Sequence, residues 1–151
     1  MKTSFVTNRD NDFLTRFNKN IPNSHNIFFV SAFGSINGYK LIQENFNTFL
    51  KKAGAAKFLF DISQGMTSPE LIEELATAPG DVKVKISLRN DKHQFIHSKL
   101  YLFEGYDTKS IIVGSNNFSQ GGLESNIESS IHIDDCDDQL FSESENFSLS
   151  L

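Results

Sequence analysis

Hydrophobic and polar positions along the chain follow two periods, one for strands and one for helices. Residues 26–33, Asn-Ile-Phe-Phe-Val-Ser-Ala-Phe, form a short apolar run of strand formers ended by Gly34-Ser35, the pattern of a buried strand. Tyr39, Leu41, Ile42, Phe46, Phe49 and Leu50 recur at spacings of three and four, which predicts a helix with one apolar stripe stopping at Gly54. Lys57 to Ile62 reads as the next buried strand. Thr67-Ser68-Pro69-Glu70 sets a cap and an early proline ahead of Leu71, Ile72, Leu75 and Ala76, and Pro79-Gly80 breaks this second helix. Val82, Val84, Ile86 and Leu88 then alternate with polar residues as a strand does. Strand, helix, strand, helix, strand is an α/β order.

The second half is richer in strands. His97 to Phe103 and Ser110 to Val113 flank the turn-forming Glu104-Gly105-Tyr106-Asp107 and predict a hairpin. After Gly114 come a loop and a short helix, then a last strand near Asn126 to Ile133. In that strand Ile127, Ile131 and Ile133 share one face, expected to be the packed one, while Glu128, Ser130 and His132 share the other. From Asp134 onward the acidic, Ser-rich tail reads as a loosely attached helix or a frayed end. Neither a repeat nor a linker divides the chain, so residues 1–151 are expected to form one domain.

Charge and cysteine usage narrow the function. A formal net charge of −5 argues against a generally basic coat for nucleic acid, yet the acidity concentrates near Asp134, Asp135, Asp137, Asp138, Glu143 and Glu145 and leaves room for a local phosphate site. No apolar run is long enough to cross a bilayer. Cys136 is the sole cysteine, which excludes an intrachain disulfide and a thiolate metal cluster; a cytoplasmic protein is the simplest expectation.

Three segments carry candidate chemistry. In His97-Ser98-Lys99 an extended backbone puts an imidazole and an ammonium on one side, with Leu100 and Leu102 pointing the other way. Gly114-Ser115-Asn116-Asn117-Phe118-Ser119 follows the partner strand of the hairpin; its small residues let backbone N–H groups approach an anion, and Ser115 and Asn117 add neutral donors. Glu128 supplies a carboxylate able to hold an imidazole's tautomer and support its positive charge. His25, His93 and His132 fit less well, and the acidic tail lacks the glycine and terminal glutamate of a calcium loop, so no metal and no cofactor are expected.

Taken together, these segments resemble the phospholipase D superfamily, whose pattern is His-x-Lys, four residues, Asp, then Gly-Ser-x-Asn and a downstream Glu or Asp. His97 and Lys99 fill the first positions, Gly114, Ser115 and Asn117 the second block, and Glu128 stands where single-motif bacterial nucleases of the superfamily carry their glutamate. Glu104 replaces the usual Asp, in that family a structural partner near the hairpin turn, and Ser119 completes the supporting set with Gly114. The resemblance covers roughly residues 93–133. Residues 29–38, Phe-Val-Ser-Ala-Phe-Gly-Ser-Ile-Asn-Gly, are also similar to the opening of metal-independent type II restriction endonucleases and helicase-associated nuclease domains.

The resemblance implies a phospholipase D-like mixed β-sheet flanked by helices on both faces. It also implies metal-independent phosphodiester hydrolysis through a phosphohistidine. That reaction needs two histidines and this chain carries one motif, so a homodimer is implied, with DNA as the expected substrate and a separate sequence-recognition domain or subunit as a possible partner. The alternatives are a phospholipid or small-molecule phosphodiesterase, and a non-catalytic dimerising module that binds nucleic acid.

Overall fold

The computed structural model describes residues 1–89 and 92–151. Its strands are β1 (Lys2–Thr7), β2 (Asn26–Ser31), β3 (Ala55–Asp61), β4 (Asp81–Ser87), β5 (Leu100–Glu104), β6 (Lys109–Gly114) and β7 (Ser129–Asp134). Its helices are α1 (Asp12–Asn20), α2 (Ile36–Lys40), α3 (Gln43–Lys51), α4 (Pro69–Ala76) and α5 (Asp138–Ser150). The strands make a single seven-stranded sheet in the order β1-β7-β6-β5-β2-β3-β4. The α/β half supplies the parallel strands β2, β3 and β4, joined through α2–α3 and α4, while β5, β6, β7 and β1 pair antiparallel. The predicted hairpin is β5–β6, with Leu100 opposite Val113 and Glu104 opposite Lys109.

Alternation along each strand divides the core between the two faces of the sheet. Phe29, Phe58, Phe60, Tyr101 and Phe103 point to one face, where they meet Phe13 and Phe17 of α1, Phe46 and Phe49 of α3, and Leu71 and Leu75 of α4. The rings meet largely edge to face, as Phe29 and Phe58 do at 5.4 Å and 88°. Fully burying each such side chain contributes about 1.5–3 kcal/mol. The other face carries Phe28, Val30, Leu59, Leu100, Leu102 and Ile111 under one helix, α5, whose Phe141 is buried there. The acidic tail is thus a 13-residue helix, capped by Asp137, which accepts from Leu140 N–H.

Three expectations shift. The single helix expected over Tyr39 to Leu50 is two helices, because Leu41 and Ile42 form a tight turn with Ile42 N–H bonded to Tyr39 C=O. Gly38 sits in the first of these with a Cβ position only 2.7 Å from the Ser119 backbone, so α2 is pinned against the loop that follows β6 and the chain must turn before α3. Strand β5 begins at Leu100 rather than His97, and β7 at Ser129 rather than Asn126; in both cases the candidate residue precedes the strand. Both faces of β7 are packed, with Ile133 half-buried against the α5-side core and the polar face buried more deeply than the isoleucines. Ser130 and His132 are buried while Ile127 is 97% exposed, because Ser130 Oγ donates to Asn116 Oδ1 at 2.5 Å and His132 lies 3.2 Å from Asn20 Nδ2 and 3.1 Å from Asp134. Polar side chains with at least one partner each thus fill the face opposite the isoleucines.

Candidate active site

One edge of the sheet collects the ends of four strands: the C-termini of β2 and β6 and the N-termini of β5 and β7. His97, Lys99, Ser115, Asn117 and Glu128 all sit on this edge, brought there by the hairpin register and by the Gly114–Ser130 pairing. Gly114 is required by that pairing. A Cβ there would lie 2.2 Å from Ser130 Oγ and 2.4 Å from Ser129 C=O, which only a shift of β6 or β7 could relieve.

His97 is exposed, whereas Lys99 is only 7% exposed. The Lys99 ammonium donates to the His97 carbonyl at 2.7 Å and stands 3.2 Å from the ring Nδ1 and 3.3 Å from Nε2. Lysine has only donors to offer, so a ring nitrogen facing it presents a lone pair. Burial pushes the Lys99 pKa down from its ordinary value, and the nearby Glu128 carboxylate opposes that shift. A positive charge is therefore held partly out of water beside the imidazole, the condition in which it acts most strongly on an anion.

The loop after β6 is fixed by a polar network. Ser115 Oγ hydrogen-bonds Glu128 Oε2 and the Ser129 backbone, and Asn126 Nδ2 donates to Glu128 Oε1 at 3.3 Å. Glu128 thus binds Ser115 and Asn126 and faces Lys99, while the His97 ring meets Lys99 and Phe95. Ser31, at the end of β2, donates to Asn117 Oδ1 at 3.2 Å and accepts from Phe118 N–H at 2.9 Å. Ser119 Oγ accepts from Gly122 N–H at 3.0 Å and starts the π-helical turn Gly121–Ser125. Glu104 lies at the opposite end of β5, where it accepts from Asn26 Nδ2 at 3.0 Å and pairs with Lys109 at 3.5 Å; its role is to close the hairpin.

Sequence reasoning did not single out several residues that hold this edge together. Asp61, 2% exposed at the end of β3, accepts from the buried Ile96 N–H at 3.0 Å and so anchors the segment that carries His97. Asn116 is fully buried and donates to Asn8 Oδ1 and Gly122 C=O, and its own carbonyl accepts from Tyr101 OH at 2.6 Å. Burial drives the Tyr101 phenol pKa up, which keeps it a neutral donor. The available signal was a polar residue closing a buried apolar run: Ser31 ends one and Asp61 another. Among the described residues no group of three or more His, Cys, Asp and Glu side chains converges as metal ligands do. Nor is any helix among them long and apolar enough to cross a membrane.

The fold recurs in known proteins. NucT from Helicobacter pylori superposes with a TM-score of 0.74 at 15% identity, over 99% of this chain and 94% of that one. Nuc from Salmonella typhimurium, a phospholipase D family member, gives 0.75 at 12% identity, over 99% and 92%. Yeast tyrosyl-DNA phosphodiesterase gives 0.58 at 15% identity, over 87% of this chain and 32% of that one. At these identities the likeness is one of fold, a mixed sheet with helices on both faces. No curated protein sequence matches the chain. The family described as cardiolipin synthase, PLD-like domain, matches residues 51–147, more than half of the chain and the whole span from His97 to Glu128, and the protein belongs to this phospholipase D-like family.

Proposed function

We propose that two copies of this chain pair to form a metal-independent phosphodiesterase that cleaves DNA, with His97 as the nucleophile. The observation that carries this reading is the buried Lys99 ammonium held against the exposed His97 ring on the edge that also presents Ser115 and Asn117. A neutral His97 nitrogen forms a bond to phosphorus as the bond to the leaving oxygen breaks, and that oxygen takes a proton from the partner's His97. The partner's His97, now neutral, removes a proton from water, whose oxygen displaces the first imidazole and releases a phosphomonoester. Lys99 and Asn117 donate to the non-bridging oxygens, joined by Ser115 once its one hydroxyl hydrogen turns from Glu128 to the phosphate, and together they stabilise the developing charge, the task a metal performs elsewhere. The two imidazoles must hold different protonation states, so their titrations are coupled. Gly114 and Ser119 support the site from its rim, Glu104 supports it only by closing the far end of the hairpin, and none of the three takes part in the chemistry.

The name of one structural relative, a tyrosyl-DNA phosphodiesterase, favours DNA. A restriction enzyme's catalytic part, working with a separate sequence-recognition domain or subunit, is the narrower form of this reading. Plasmid nicking in excess EDTA tests it. Cleavage by the wild type that disappears in His97→Ala, together with an acid-labile, base-stable phosphoenzyme, is the expected result. Undiminished cleavage by His97→Ala, or a requirement for magnesium, overturns it. The family description names cardiolipin synthase, which favours a lipid diester as the second reading. Turnover of phosphatidylglycerol vesicles without DNA cleavage would select it.

A further inference from the structure

Beside the His97 ring lies a stack that the phosphodiesterase chemistry does not use. The Arg89 guanidinium stands 5.5 Å from the centroid of the Phe95 ring, and Phe95 meets His97 edge to face at 6.1 Å and 86°. Phe95 is 40% exposed although its neighbour Ile96 is buried and tied to Asp61, so the backbone fixes an aromatic ring outward at the site. Folding gains little from a phenylalanine in that position. The ring borders a cleft of about 700 Å³ that Ser87, Leu88, His97, Ser98 and Phe147 also line.

A line of cations leads to this cleft. Lys83, Lys85 and Ser87 alternate on one face of β4, opposite Val82 and Val84, and Arg89 follows. Lys83 pairs with Lys57 across the strands, Lys85 with Leu59, and Ser87 with Asp61, the anchor of the His97 segment. The row therefore runs toward the catalytic edge. Its two lysines are about 6.6–6.8 Å apart along the strand, and both are exposed, with α5 packed instead over β5 and β6. Lys83 approaches Asp81 at 3.9 Å, but both side chains are largely in water, where such a pair yields readily to a phosphate. In a chain of net charge −5 this is a local positive track ending in an aromatic platform.

Resting on the phosphodiesterase reading, we propose that this track and platform bind an unpaired nucleic-acid strand, its phosphates along Lys83 and Lys85 and a base stacked on Arg89–Phe95 next to the phosphate held at His97. A base has a flat π face for the ring and the guanidinium, and a regularly charged backbone for the row of cations. In a duplex that face is already covered by neighbouring bases, so an unpaired strand fits better. A lipid would offer one headgroup phosphate to a row built for several.

The test uses fluorescence anisotropy on the full chain carrying His97→Asn, so that ligand is not consumed. Its ligands are an oligothymidylate and an abasic tetrahydrofuran oligomer of equal length, with phosphatidylglycerol vesicles in a sedimentation assay alongside. Phe95→Leu is expected to weaken oligothymidylate binding about ten-fold or more, to leave the abasic oligomer unaffected, and to be rescued by Phe95→Tyr. The double change Lys83→Gln, Lys85→Gln is expected to lower the slope of log K against log salt by about 1.4, two phosphate contacts at about 0.7 each. Equal losses on both oligomers overturn the base platform. An unchanged salt slope overturns the track and leaves the lysines as guards of an edge strand. Phe95-dependent vesicle binding puts a lipid in the cleft and overturns the strand. Hydrolysis of bis(p-nitrophenyl) phosphate by the wild type reports on the catalytic reading separately: its absence alongside base-dependent binding leaves the strand site standing, and its presence with base-independent binding removes the site alone.

Discussion

The β5–β6 hairpin carries a lysine at each end, and the two are held in opposite ways. Lys99 is buried against His97, and desolvation pushes its pKa down from the ordinary lysine value. Lys109, at the turn end, lies 2.8 Å from Asp138 and 3.5 Å from Glu104, and its hydrogen bond to Asp138 pushes its pKa up. Lys109 also caps the Phe141 ring at 5.2 Å, tying α5 to the hairpin. One end thus keeps a charge at a cost, and the other neutralises its charge among carboxylates. A costly charge is retained where chemistry needs it, and the scaffold end has no such need.

The largest expected effect comes from removing the costly charge. Lys99→Met should lower kcat for bis(p-nitrophenyl) phosphate by about 10²–10³-fold, the loss typical of one donor to a developing anion. It should leave the urea midpoint equal or higher, because an apolar side chain of similar length suits a desolvated position better. The wild-type rate should also fall on the alkaline side below the ordinary lysine range, since a lowered pKa means the ammonium is lost at lower pH, and this limb should vanish in Lys99→Met. A variant that is fully active, or inactive only because it has unfolded, would erase the distinction between the two ends.

Asp61→Ala should rank next. It leaves the buried Ile96 N–H without its acceptor, which costs about 1–3 kcal/mol. It should also lower kcat about ten-fold with KM little changed, since a small misplacement of a nucleophile acts on the rate. Comparing urea stability with kcat in the same variant checks both, and a stability loss with an unaltered rate would make Asp61 a purely structural anchor. At the turn end, Lys109→Met should leave kcat unchanged and lower Tm by no more than a few degrees, as expected when an exposed ion pair is removed. A large rate effect there would show the two ends to be coupled through the hairpin.

Legibility in the sequence divides along similar lines. The apolar runs of β2 and β3, the capped helix at Pro69 and the hairpin were readable because each depends on local pattern. His97, Lys99, Ser115 and Asn117 could be named because their residue types and spacing are unusual together. The buried faces were harder. Ile127, Ile131 and Ile133 look like the one packed stripe, yet Ser130 and His132 are buried more deeply, because Asn116 and the sequence-distant Asn20 offer them hydrogen-bond partners. Asp61 was invisible for the same reason: its acceptor role exists only once residue 96 crosses the end of β3. Glu128 was expected to hold the His97 tautomer, but it bonds Ser115 and Asn126 instead, contacts that follow from the path of a loop that no periodicity describes.

His132 gives the smallest expected effect, on β7, the strand paired with β6 of the hairpin. It is buried on β7 between Asn20 and Asp134, with Asp12, Arg16 and Lys19 of α1 acting on it at longer range. Burial pushes its pKa down, more than Asp134 raises it. The unfolded chain, with an ordinary histidine pKa near about 6.5, therefore binds a proton at a pH where the folded chain does not. Stability must then rise with pH across that interval, so it is lost as pH falls from about 6.5 toward the lower folded value and levels off beneath it. Tm measured at successive pH values should show this acid-side decline, and His132→Gln should flatten it even if the variant starts from a lower Tm. If the decline is identical in His132→Gln, the acid sensitivity belongs to the carboxylates, and His132 takes no part in it.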